Sequence, residues 1–353
     1  MANFIDYITA KAQALYYNEL LAAKSEKPFL GDELFPTRRK QGLKIDWIKG
    51  LKKGAQVLPL SAFDAKVLKL SRYGFTTVSQ EMPFFKASLD IDEELRQKLL
   101  MIGESQTQYI QDIIRKIFDD NSRLIEAAAV TRERMRMQLL TTGIIAIASN
   151  GQAYKYDYGM EDYQKVTATK AWSDTTADII GDIISYQDTM VEKTGVKPTR
   201  LVMRTKVFRN LMKNDYIKNS LYVFGQGKVN ANENAIKTFL GEQAGITSIA
   251  LYDKVYVDED GVTQFFIPDD VAILIPEGDL GYTWLGTTPE EADLLGNAST
   301  KAQVAIVDSG VALTTWTEED PVRVVTKVSE IALPSGENMD KVVIIDVTGP
   351  ASA

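Results

Sequence analysis

The chain has 353 residues, 45% of them apolar and 25% charged, with 40 Lys and Arg against 48 Asp and Glu and a net charge of −8. These are ordinary globular values that exclude a wholly disordered chain, and the acidic balance excludes holding nucleic acid by bulk attraction. Cys and His are both absent, which removes disulfides, cysteine-based zinc sites, thiolate nucleophiles and every imidazole-dependent triad, dyad or general base.

Catalysis by carboxylates, Lys or Tyr stays open. The length predicts roughly two to three domains. No run of about 18 apolar residues occurs, so no membrane-spanning helix is predicted. Asp6, Lys11 and Glu19 interrupt any apolar core near the start, so no secretory signal is expected there and the expected location is cytoplasmic.

The first 24 residues predict an amphipathic helix, with Phe4, Ile5, Ile8, Ala12, Leu15 and Tyr16 on one face and Asp6, Lys11 and Asn18 on the other. It either docks on its own domain or packs as an arm on another subunit. A turn-rich connector spans Pro28 to Pro36. Pro36 to Gly54 then holds Arg38, Arg39, Lys40, Lys44, Lys49, Lys52 and Lys53 against Asp46 alone, a net +6, interleaved with Leu43, Ile45, Trp47 and Ile48. A solvated extended segment, a charge-complementary protein contact and nucleic-acid contact all fit this pattern.

Gln56 to Asp92 is strand-rich, with apolar runs at Val67–Leu70, Phe75–Val78 and Phe84–Phe85 broken by Gly74 and Pro83. These runs have too few partners for a core of their own, so a long hairpin reaching from the main body is expected. Glu104 to Leu140 carries one apolar helical face through Ile110, Ile113, Ile114, Ile117, Leu124, Ile125 and Ala128, with no Pro or Gly, and Gly143 follows as a C-terminal stop. The alternative is a break at Asp119-Asp120-Asn121-Ser122, with Ser122 capping a second helix. Asn150-Gly151 between two apolar runs predicts a tight hairpin.

From Ser173 the pattern is mixed. Helices are predicted at Asp174–Thr194, Lys206–Lys213 and Glu233–Gln243. Strands are predicted at Leu201–Met203, Ile249–Val257, Val262–Ile267, Val271–Ile275, Val322–Val328 and Val342–Val347.

Chemical motifs are mostly negative. Gly225-Gln226-Gly227-Lys228 lacks the spacing of a phosphate loop, and no dinucleotide fingerprint appears. Asp258-Glu259-Asp260-Gly261 resembles part of a calcium loop, but its register puts Tyr256 and Ile267 where carboxylates are needed, so a solvated turn is expected. Between Asp253 and Asp293 eleven acids face one base, Lys254, a net −10 against the +6 of the earlier segment. Opposite blocks on one chain can neutralise each other within a subunit or across neighbours.

Several short pieces occur in an order that resembles the lambda-type major capsid (major head) protein family of tailed bacteriophages, which has the Hong Kong 97-type capsid fold. One runs from Arg123-Leu-Ile-Glu126 through Leu139 and Gly143 to Tyr156-Asp157-Tyr158-Gly159. Another comprises Val255-Tyr-Val-Asp258, Asp260-Gly261, Phe266-Ile267-Pro268, Ile273-Leu274-Ile275-Pro276, Leu280-Gly281 and Leu285-Gly286-Thr287-Thr288-Pro289-Glu290. Asp320-Pro321 and Leu333-Pro334 complete the set.

The resemblance implies an α+β fold. Residues 1–50 would be an N-terminal arm and 51–95 an extended β-hairpin loop. Residues 96–172 would be a peripheral domain with a spine helix at about 104–140 and a hairpin. Residues 173–315 would form an axial domain, and 316–353 would return as strands of the peripheral domain. It implies a self-assembling, non-enzymatic subunit of pentamers and hexamers around double-stranded DNA, with DNA held only non-specifically. Implied partners are sister copies, a separate scaffolding protein, a portal and a decoration protein, with no membrane, cofactor, metal or catalytic residue. The implied location is the virion, and the host cytoplasm before and during assembly. Candidate intersubunit contacts are Phe4, Ile8, Arg38, Arg39, Lys40, Trp47, Lys52 and Lys53. The competing expectations are a carboxylate- or lysine-dependent cytoplasmic α/β enzyme and another virion protein of the tail or decoration type.

Overall fold

The computed structural model describes residues 8–23, 29–50, 75–94, 97, 107–221, 232–295, 302–308 and 310–350. Expectations for Phe4, Lys52, Lys53 and the 51–95 loop before Phe75 lie outside these residues.

The first half of the chain contains α1 (Ala10–Ala23), α2 (Leu30–Leu34), β1 (Thr37–Arg39), β2 (Lys44–Gly50), β3 (Phe75–Glu81), β4 (Phe84–Ile91), α3 (Thr107–Thr142), β5 (Ile144–Ser149), β6 (Gln152–Asp157) and β7 (Lys165–Thr167). Next come α4 (Ile179–Thr194), β8 (Arg200–Met203), α5 (Thr205–Lys213), α6 (Asp215–Leu221), α7 (Glu233–Ala244), β9 (Ser248–Leu251), β10 (Val255–Val257), β11 (Thr263–Phe265) and β12 (Val271–Ile275). The chain ends with β13 (Thr283–Leu285), α8 (Pro289–Leu295), β14 (Gln303–Val307), β15 (Val311–Glu319), β16 (Val322–Pro334) and β17 (Val343–Asp346). These elements divide into two compact units, one of Met1–Asp46, Ser79–Arg134 and Tyr282–Ser335, the other of Trp47–Val78, Met135–Gly281 and Gly336–Ala353.

The first unit is organised by β16. Its 13 residues are long enough to pair antiparallel with three strands, β15 on one edge and β4 and then β13 on the other. The sheet order is β1-β13-β16-β15-β14, with β4 also on β16. The strands β14 and β15 were not anticipated, because their pattern begins directly after a Gly/Asn/Ser stretch and β15 buries threonines on both of its faces, Thr314 and Thr315. β4 starts after Pro83 as the sequence predicts, but it joins this sheet rather than projecting as one arm of a self-contained hairpin.

α3 covers the sheet with the predicted apolar stripe. Ile125 and Ala128 pack with Val307, Val311, Leu313 and Val328, and Ile117 packs with Ile91 and Val324. The helix runs unbroken through Asp119-Asp120-Asn121-Ser122 for 36 residues, about 54 Å at the usual rise of ~1.5 Å per residue. Asn121 does not break it because its buried amide is engaged elsewhere, donating to Gln13 Oε1 at 3.1 Å, instead of competing for its own backbone.

The same bond corrects the expected face of α1. Ala14 and Tyr17 join the core while Leu15 is 56% exposed. Gln13 is buried, and its amide nitrogen donates to Thr315 Oγ1 at 3.3 Å and Thr326 Oγ1 at 3.4 Å. Satisfying that amide turns the helix so that residues 10, 13, 14 and 17 face inward. Tyr16 sits at the margin, donating to Asp119 at 2.6 Å, a bond that raises its phenol above the usual range.

Charge is also buried here. The side chain of Arg132 on α3, 6% exposed, pairs with Asp308 and, at 3.2 Å, with Glu330 of β16, whose side chain is 1% exposed. Desolvation opposes the guanidinium's charge, yet the two carboxylates outweigh it and raise the Arg132 pKa.

The second unit is an α/β layer with sheet order β7-β17-β12-β8-β9. β12 is antiparallel to both neighbours, and β7–β17 and β8–β9 are parallel. Ile180, Ile183 and Met190 of α4, Val207, Phe208 and Leu211 of α5, and Ile236 and Leu240 of α7 pack on Leu201, Met203, Leu274, Val343 and Ile345. The last strand therefore belongs with β12 and β7, not with the strands around β16, because Ile344 and Ile345 supply the apolar register β12 needs on its open edge. Residues 282–315, expected with the axial region, cluster with the first unit through β13, β14 and β15.

Two predicted boundaries shift for local reasons. The helix expected from Asp174 begins at Ile179, capped by Asp178, which accepts from Gly181 N–H at 2.9 Å. Asp174 instead accepts from Thr176 N–H at 2.8 Å, holding a turn. The strand expected over Ile249–Val257 splits into β9 and β10 because Asp253 is drawn to Thr205 and Arg204. The Asn150-Gly151 hairpin forms as predicted, with φ of 50° and 74°.

The Arg132 cluster predicts a sharp asymmetry. Arg132→Ala leaves Glu330 buried without its cation and is expected to destabilise the subunit by about 3–5 kcal/mol. The apolar double replacement Arg132→Met with Glu330→Leu is expected to cost clearly less. Urea unfolding of both variants checks this; equal losses would contradict it.

Candidate functional site

The sequence singles out the basic N-terminal segment and the acidic stretch before Asp293, and in the first unit these meet. β1 pairs parallel with β13, Thr37 opposite Thr283 and Arg39 opposite Leu285. The clasp is extended at both ends: Thr283 N–H donates to Pro36 O at 3.0 Å and Lys40 N–H to Leu285 O at 2.9 Å. Gly286 lets the neighbouring backbone approach this closely, since a Cβ there would stand 2.8 Å from Gly42 O and 2.7 Å from Ile331 Cγ2.

α8 then presents its acids. Thr288 caps it, accepting from Glu291 N–H at 3.3 Å, Pro289 opens it, and Glu290 and Glu291 occupy the first turn, where the helix favours negative charge. Glu291 pairs with Arg39 of β1, while Glu290 pairs with Lys327 and accepts from Ser329 Oγ at 2.9 Å, both on β16. Burial works against the Glu290 carboxylate, but Lys327, a backbone N–H and Ser329 together hold its pKa below the ordinary glutamate value.

Two further basic residues of the segment, Arg38 and Lys40, have contacts nearby. The Arg38 guanidinium lies 3.4 Å from the centroid of the Tyr282 ring. Lys40 pairs with Asp46 at 3.2 Å, and the Asp46 carboxyl is lowered first by a hydrogen bond from Ser79 and then by Lys40.

Of the sequence-predicted contact residues, Arg38, Arg39 and Lys40 thus come together at the β1–β13 edge. Arg38 and Arg39 stay exposed. Ile8 is buried against Ile91, Ile117 and Val324. Trp47, in the second unit, is buried and stacked on Tyr158 at 5.6 Å between centroids. Burial of the Tyr158 phenol pushes its pKa well up.

In the second unit two more acids of the block are matched locally. Arg204, at the start of α5, pairs with Asp253 at 3.3 Å and with Asp269, and Lys206 pairs with Asp269 at 2.5 Å. Asp258, the first residue of the calcium-loop-like turn, accepts from the N–H groups of Asp260 at 3.1 Å and Val262 at 2.8 Å. Its oxygens serve the turn itself. Among the described residues no group of three or more acids is arranged to hold a metal ion. The sequence showed both charge blocks but missed their partners Lys327 and Ser329, which sit on a strand whose alternation gives no sign of contact with α8.

The profile of the family described as phage major capsid protein E matches residues 18–347. The chain belongs to that family. This capsid chain has the fold of solved capsid proteins of the Hong Kong 97 type. A protein described as a capsid protein of a prophage of Escherichia coli CFT073 is 19% identical, with a TM-score of 0.60 over 96% of this chain and 99% of that one. A phage-related protein from Bordetella bronchiseptica RB50 is 11% identical, with a TM-score of 0.55 over 98% and 99%. The capsid subunit of cyanophage A-1(L) is 12% identical, with a TM-score of 0.52 over 92% and 95%. Comparison with curated proteins finds no match. The capsid chain is accordingly a structural component of a phage virion, and nothing in these relationships favours the enzyme or tail alternatives.

The Glu290 cluster gives a pH prediction. A carboxyl whose folded pKa lies below its unfolded value contributes stability that is present above the ordinary glutamate pKa of 4.5 and is lost as pH falls through the folded value. The stability gap between wild type and Glu290→Gln should therefore be full at neutral pH and close under acid. Unfolding midpoints across that range check it; a gap that widens under acid would contradict it.

Proposed function

We propose that this capsid chain builds the pentamers and hexamers of an icosahedral head that closes around double-stranded DNA, acting without catalysis. The observation that carries the proposal is the family match, which spans residues 18–347. A net charge of −8 suits a wall that holds packaged DNA only non-specifically, because tight attraction would oppose ordered packing and release. In this reading a separate scaffolding protein, a portal and a decoration protein are the further partners, and assembly takes place in the host cytoplasm.

The segments assign as follows in the same reading. Residues 1–50 act as the arm and 51–95 as the extended loop. α3 is the spine of the peripheral part. The five-stranded sheet with α4, α5 and α7 forms the axial part and takes back the final strand. Because Ile8 and Trp47 are buried against their own chain and Arg39 and Lys40 are paired, contact with a neighbour falls chiefly to Arg38, Phe4, Lys52 and Lys53.

Two measurements test this. Size-exclusion chromatography and negative-stain microscopy of the expressed chain should give capsomer-sized rings or closed shells; tubes, or a monomer with enzymatic turnover, would contradict it. The triple reversal Arg38→Glu, Lys52→Glu, Lys53→Glu should leave the melting profile near wild type and impair assembly. Unchanged shell yields would remove these residues from the interface.

A further inference from the structure

Exposed apolar residues are scattered over most of the described surface, but four of them gather on one hairpin. Val255 is 48% exposed, Val257 62%, Val262 54% and Phe265 45%. β10 and β11 pair antiparallel with Val255 opposite Phe265 and Val257 opposite Thr263. Alternation therefore puts Val255, Val257 and Phe265 on a single face. The opposite face is anchored: the Tyr256 ring lies 4.9 Å and the Tyr252 ring 6.0 Å from that of buried Phe266.

A two-stranded hairpin alone is marginal in water, yet this one is held rigid at both ends. At its tip Asp258 accepts from Val262 N–H at 2.8 Å and from Gln264 Nε2 at 2.6 Å. At its base the Arg204 guanidinium lies 3.3 Å from the Phe265 ring centroid and is itself fixed by Asp253 and Asp269. Rigid presentation of a contiguous apolar face lowers the ordering cost of binding and marks an interface.

We propose that this face of β10–β11 is a docking surface for a second copy of the chain. The occupant follows from charge. The hairpin ends in Asp258-Glu259-Asp260, while α5 of the same chain exposes Arg209 and Lys213, which lie on one helical face. A sister copy carries both the acidic tip and the basic helix, so one chain supplies both halves of the contact, and the charges fix its register. An acidic tip beside the apolar face disfavours nucleic acid as the occupant.

The inference rests on the proposed self-assembly. The full-length chain is compared with Val257→Asp, Val257→Thr, Asp260→Lys, Arg209→Glu and the double Asp260→Lys, Arg209→Glu by sedimentation velocity. Thermal melting confirms that each variant folds. Val257→Asp is expected to melt like wild type while its assembled fraction falls about tenfold, as for loss of an interface core residue, and Val257→Thr to fall between them. Each single charge reversal should lower assembly, and the double should recover it. Wild-type assembly of both Val257 variants, or a double no better than its singles, would overturn the docking surface. A wild-type chain that never associates would instead overturn the assembly reading beneath it.

Discussion

A guanidinium taken out of water must be met by carboxylates, and in this capsid chain that requirement fixes the first unit. Arg132 stands on the face of α3 that packs against the sheet, and its partners come from far along the chain, Asp308 between β14 and β15 and Glu330 on β16. The next residue, Glu133, accepts from Gly31 N–H at 3.1 Å. One turn of one helix therefore holds the N-terminal segment and the central strand at once. Parting an ion pair buried at 6% and 1% exposure leaves an uncompensated buried charge, which is strongly destabilising.

Within each unit several residues of the acidic block are matched by cations of the same unit. Arg39 meets Glu291, Lys327 meets Glu290, and Arg204 with Lys206 meets Asp253 and Asp269. Half-buried pairs of this kind lose much of their Coulomb gain to desolvation. Here they share their setting with a parallel β1–β13 clasp and a capped helix, so their effect is to set register. The N-terminal helix is likewise seated on its own body, through Ala14, Tyr17 and the Gln13 amide. The idea that these leading residues find a partner only in a neighbouring copy does not describe α1.

Elements with strong local signals were legible in the sequence. The apolar stripe of α3, the Gly143 stop, the Asn-Gly hairpin and the helices at 205–213 and 233–244 follow from spacing and turn chemistry alone. Features that depend on a distant partner were not legible. Nothing local marks Gln13 and Asn121 as buried, yet in the interior the Asn121 amide donates to Gln13, which in turn donates to Thr315 and Thr326. β15 buries Thr314 and Thr315, which blurs its alternation. The two-way split of Ile249–Val257 depends on Arg204, 49 residues upstream of Asp253, and no local pattern announces it. The candidate contact residues divide by burial: Arg38 and Arg39 stay exposed, whereas Ile8 and Trp47 are buried in their own chain.

The central claim is that the N-terminal segment is bound to its own subunit by α1 packing, the β1–β13 clasp and the Arg132–Glu133 turn before any neighbour arrives. Hydrogen–deuterium exchange of the unassembled chain tests it most directly. Backbone amides in 10–23 and at 37–39 should be protected together with those of β16. Full exchange of these amides beside a protected β16 would contradict the account.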